Sequence, residues 1–118
     1  GFPNETIEDF KETLRTIYYI FEKCKYMVYP IPAPSYFCPL PGTKSFDDAV
    51  ALGHSVPESL KGWENVDYNI KDMVWIDKEF HNFLIKSRDV INSINQKYTG
   101  ENAVITKKDL EPLERLMN

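Results

Sequence analysis

Clusters of basic residues are the first thing this chain lacks. Its 14 Lys and Arg are interspersed with 18 Asp and Glu for a net charge of −4, with five acids and four bases in residues 1–29 and five of each in residues 66–98. A nucleic-acid binder needs a concentrated basic footprint to neutralise phosphates, so that class is excluded. A polybasic membrane-surface segment is excluded on the same ground. No run reaches the roughly eighteen apolar residues of a spanning helix, so no transmembrane segment is expected.

Catalytic and metal-ligating groups are sparse as well. The five glycines stand apart at 1, 42, 53, 62 and 100, so no glycine-rich loop can cradle a phosphate. Only His54 and His81 could serve as imidazole bases or ligands. Asp77 and His81 are four apart, a spacing that suits coordination from one helical face. A di-metal bundle wants Glu-x-x-His motifs on two helices, and no second His-bearing helix exists here. Asp77, His81 and Arg88 therefore read as a solvated polar edge, and neither metal nor cofactor is expected. "GHSVP" at Gly53–Pro57 has the first half of a G-x-S-x-G nucleophile elbow. Its fifth residue is Pro57, no strand precedes it, and Ser55 followed by Glu58 fits a helix cap better. No cluster of acid, base and nucleophile marks an enzyme.

There are two cysteines, Cys24 and Cys38, with no C-x-x-C spacing and no accompanying His cluster, so zinc and thioredoxin chemistry fit poorly. Either the two form a disulfide, or Cys24 fills a helical seam and Cys38 is a loop thiol. A bond would require residues 30–38 to double back along the first helix, with a reversal near Pro34-Ser35. Closing that loop would add about 3 kcal/mol in the chain-entropy model. Asn4-Glu5-Thr6 matches the N-glycosylation acceptor pattern. The chain starts with Gly rather than Met, as a processed or excised chain would. Together these features lean towards an extracytoplasmic, secreted placement.

What the chain does have is aromatic and helical character. Seven Tyr, seven Phe and two Trp in 118 residues argue against disorder and for one packed domain over residues 1–118. Ile7, Phe10, Leu14, Ile17, Phe21, Cys24 and Val28 repeat at intervals of three and four. That rhythm predicts a helix over about 6–28 with one apolar seam, ending where Pro30 forces Tyr29 out of the helical region. Met73, Ile76, Phe80, Phe83, Ser87, Val90 and Ile94 repeat it, predicting a second long helix over about 67–98, with Leu84, Ile91 and Tyr98 widening the stripe. Shorter helices are expected from Ser45, from Ser55 with Pro57 in the first turn, and near the C-terminus with Asp109 as cap and Pro112 in the first turn. The fold class is all-α: a helical bundle on two long helices plus shorter ones.

Between the first two helical regions runs a proline-rich irregular strap, about residues 29–44, with five prolines from Pro30 to Pro41. No two of them are three apart, so it is not a P-x-x-P ligand. It is interleaved instead with Tyr29, Ile31, Tyr36, Phe37 and Leu40. Those side chains suit either a cover over the bundle's own end or a surface that receives a partner or ligand. The resulting expectation is a non-enzymatic protein–protein interaction module. The alternative is a carrier of a hydrophobic small molecule or lipid held between the helices under the strap.

Overall fold

The computed structural model describes residues 1–24, 31, 33–64, 66, 73–97 and 104–118. The protein is all-α, with five helices and, among the described residues, no strand. They are α1 (Ile7–Lys23), α2 (Lys44–Ala51), α3 (Leu60–Trp63), α4 (Lys78–Gln96) and α5 (Lys107–Met117). The chain divides into two compact units, one of Gly1–Thr6 with Ser35–His81 and one of Ile7–Pro34 with Asn82–Asn118.

The second unit is the helical bundle, in which α1 and α4 pack with α5. The expected α1 seam is buried at Phe10, Leu14, Ile17 and Phe21. α1 packs against α5, whose buried Leu110, Leu113 and Leu116 recur every three residues and so keep to one helical face. Phe10 also meets Phe83 of α4 edge-on, with ring centroids 6.1 Å apart. Exposed pairs such as Lys11–Glu8 at 2.7 Å and Arg115–Glu111 at 3.2 Å decorate the outer faces. Pairs of this kind add only a few tenths of a kcal/mol each, so apolar burial carries the bundle.

Two boundaries differ from the sequence-based expectation. α1 ends at Lys23, with Cys24 N donating to Ile20 O at 2.8 Å, and Cys24 is exposed rather than seated in the seam. Its expected continuation to residue 28 lies outside the described residues. α4 begins at Lys78, not near 67, because Asp77 caps it: Oδ1 accepts from Phe80 N at 2.8 Å and its carbonyl from His81 N at 3.0 Å. Met73 is fully buried but precedes the helix in a non-helical turn, and residues 67–72 and Tyr98 lie outside the described residues. With 17 and 19 residues the two long helices are matched, at roughly 26 and 29 Å by a rise of 1.5 Å per residue. The register also shifts. The buried line of α4 is Phe80, Leu84, Ser87, Ile91 and Ile94, while Phe83 and Val90 are half-buried at its edge. Ser87 tolerates full burial because its hydroxyl donates to Phe83 O at 2.7 Å.

The short helices differ in their caps. α2 is capped by Thr43, whose hydroxyl accepts from Phe46 N at 3.2 Å, rather than by Ser45. α3 is capped by Ser59, accepting from Gly62 N at 3.2 Å, so Ser55 and Pro57 lie ahead of it. At α5 the cap position is Thr106, and Asp109 is its partner three residues on, accepting from Thr106 N at 2.9 Å. Pro112 sits past the first turn, where it removes one helical hydrogen bond.

Candidate functional site

The first unit is built around aromatic side chains drawn from distant parts of the sequence. α2 ends in a Schellman turn: Gly53 takes φ +102°, Gly53 N donates to Val50 O at 3.0 Å, and His54 N donates to Ala49 O at 2.9 Å. Only glycine adopts that backbone readily, and the reversal sets His54 back against its own helix. There its ring meets Phe46 at 6.1 Å and Trp75 at 5.6 Å, both edge-on. Phe46 in turn leans on Trp63 of α3 at 6.4 Å. From the other side Phe37 reaches Trp75 at 6.0 Å and Phe2 at 4.4 Å. Trp75 is held in place by its indole N–H, which donates to Gly1 O at 2.9 Å. Six rings thus form a continuous line, and the same unit buries Ala49, Met73 and Phe80.

Around this line the unit leaves large apolar side chains in solvent. Leu60 is 90% exposed, Leu40 and Val74 58% each, and Phe2, Val50, Leu52 and Val56 are exposed as well. Among the described residues these are seven of ten exposed large apolar side chains; Tyr19, Ile85 and Val104 in the bundle are the others. Val74 stands beside the end of α2, since a Cβ built on Gly53 would lie 4.0 Å from Val74 Cγ2. Packing among the described residues accounts for the rings but leaves most of Leu60 and Val74 in solvent.

The strap's residues part company. Tyr29 lies outside the described residues. Ile31 is buried in the bundle unit, and its carbonyl accepts from Asn95 Nδ2 at 2.6 Å. Tyr36 and Phe37 are half-buried in the other unit, and Leu40 is the strap's exposed apolar residue there. Most of the described strap therefore packs on the protein itself.

The structure contains no disulfide: Cys24 stands exposed one residue past α1, off the seam that was expected to hold it, and Cys38 is half-buried. Asn4 is exposed in a turn ahead of α1.

The remaining polar candidates are engaged structurally. Asp77 caps α4, and the His81 ring bonds Met73 O through Nε2 at 3.0 Å. Among the described residues no three His, Cys, Asp or Glu converge to hold a metal. His54 Nε2 is buried with no hydrogen-bond partner among the described residues, and its ring lies edge-on to Phe46 and Trp75. Among the described residues one carboxyl is strongly perturbed, and it is structural too. Asp109 is lowered to about 2 because Lys97 donates to it, Thr106 adds backbone and hydroxyl bonds, and these outweigh partial burial. Tyr18 is raised by burial and by the nearby charges of Glu114 and Glu22.

Comparisons with protein-family models, curated proteins and solved structures each found no match for this chain. What the fold and site define is therefore a class: a small all-α protein with a helical bundle and an aromatic-lined unit rich in exposed apolar side chains.

Proposed function

We propose that the protein is a non-enzymatic interaction module that docks another protein on its aromatic unit. The observation that carries this reading is the concentration there of exposed Leu40, Leu52, Val56, Leu60 and Val74. Apolar surface left in water without a packing role is what a partner's own apolar residues would cover. The packed line of rings in the same unit supports the reading, because side chains already packed lose little entropy on binding. An extracytoplasmic placement remains part of the proposal, resting on the acceptor motif at Asn4.

Charge substitution tests it. Leu60→Glu and Val74→Lys should leave the melting temperature near that of the parent, since both side chains are already in solvent. Partner capture quantified by mass spectrometry should fall sharply for both. Equal capture by parent and variants would refute the docking surface.

A second reading, carriage of a hydrophobic small molecule, has one observation in its favour. A groove of about 530 Å³ lies between the end of α1 and the start of α5, lined by Phe21, Val104, Ile105 and Leu110 with Lys23 and Lys107. Its size falls within that of small-molecule sites. It is lined by none of the described strap residues, so the strap would not be its lid. Native mass spectrometry after incubation with fatty acids decides: a retained ligand that Val104→Glu abolishes favours carriage, and an unliganded spectrum rejects it.

A further inference from the structure

The turn ahead of α1 is built from Phe2-Pro3-Asn4-Glu5. Glu5 N donates to Phe2 O at 3.0 Å, and Asn4 has φ +67°. Pro3 cannot take a positive φ, so the turn is type II, with proline first and asparagine in the left-handed position that asparagine tolerates. A second bond, Phe2 N to Glu5 Oε2 at 2.9 Å, braces it. Neither bond uses the Asn4 carboxamide, and both Asn4 and Thr6 are exposed. Phe2 lies against Phe37 yet keeps 54% of its surface in solvent. An acceptor asparagine, a hydroxyl residue two positions on and an exposed aromatic two positions back thus share one braced turn.

We infer that Asn4 is an N-glycosylation site and that the first sugar of the glycan packs its C–H face on the Phe2 ring. In the transfer, catalysed by the secretory host's oligosaccharide transferase, Asn4 Nδ2 bonds the anomeric carbon of N-acetylglucosamine and its proton is released to solvent. That carbon's bond to a lipid-linked pyrophosphate breaks, and the lipid pyrophosphate leaves with the electron pair. The turn holds the exposed Asn4 outside the packed core, where a glycan can extend into solvent. Polarised C–H groups on one face of the sugar complement the negative face of an aromatic ring, which gives the exposed part of Phe2 a use.

The inference rests on the extracytoplasmic reading for its use in nature, and the test separates the two. The full chain is expressed in a eukaryotic secretory host behind an added leader and spacer, so its own address does not matter. The expected result is one N-linked glycan, released by peptide N-glycosidase with conversion of the asparagine to aspartate. It should be lost in Asn4→Gln and Thr6→Ala and retained in Thr6→Ser. Nuclear magnetic resonance should show the first sugar's ring protons shifted upfield by the aromatic current, with the shift gone in Phe2→Ala. Secreted, folded protein with unmodified Asn4 overturns the site. Identical sugar shifts in parent and Phe2→Ala overturn the stacking. Locating the endogenous protein in the cytosol would instead overturn the placement.

Discussion

Truncating Ile91 and, separately, its neighbour Val90 to alanine tests the register of α4 at adjacent positions. Ile91 is fully buried on the line that runs through Leu84, Ser87 and Ile94, whereas Val90 is half-buried at its edge. Removing a core isoleucine side chain to alanine costs about 2–5 kcal/mol, and an enclosed site that cannot collapse belongs in the upper half of that range. Alanine returns about 0.5 kcal/mol of helix propensity, leaving roughly 3 kcal/mol for Ile91→Ala. Val90→Ala removes two half-exposed methyl groups, worth about 0.8 kcal/mol by group transfer, and regains a similar propensity term. Its net effect should lie within about 0.5 kcal/mol of zero, as for other substitutions outside the core. Urea unfolding followed by far-ultraviolet circular dichroism reads both, with unchanged slopes to show that only stability moved. A Val90→Ala loss equal to or larger than that of Ile91→Ala would refute the register.

Three further outcomes follow from the caps, the glycines and the one perturbed carboxyl. Ser59→Ala should destabilise by about 1 kcal/mol through loss of the α3 cap, while Ser55→Ala, ahead of the helix, should be near neutral; equal effects would place the cap elsewhere. Gly62→Ala should destabilise although alanine is the better helix former, because its Cβ would fall 2.9 Å from Pro57 Cβ in a ring that cannot swing away; a rise in melting temperature would contradict that contact. Asp109 is held below its ordinary value, so its contribution to stability is present above about pH 4 and is lost as pH falls towards about 2. A carboxyl titration by nuclear magnetic resonance should find it there and find it raised in Lys97→Met; an ordinary aspartate value in the parent would count against the pairing.

The bundle was readable because its signal is local. Phe10, Leu14, Ile17 and Phe21 repeat within one helix, and that period alone decides which face is buried. The start of α4 was misread for a related reason: Met73 and Ile76 continue the rhythm of Phe80 by coincidence across a helix cap. The competing signal, Asp77 three residues before Phe80, was present but was assigned to a polar edge. At Ser55 and Ser59 two serines compete for one cap within five residues, and it is Ser59 whose hydroxyl accepts from Gly62 N. The line of rings was not readable at all. Phe2, Phe37, Phe46, His54, Trp63 and Trp75 come from separate segments, and no spacing rule links residues that meet only through tertiary folding. Exposure of Leu60 is hidden for the same reason, since a leucine in a short helix is ordinarily assigned to the core.

The docking reading is tested most directly by amide hydrogen exchange on the protein with and without its captured partner. The account predicts slowed exchange over residues 50–60 and around Val74, with the outer face of α5 unchanged. Protection confined to α5 or to the groove beside Val104, with residues 50–60 and Val74 exchanging as in the free protein, would contradict it.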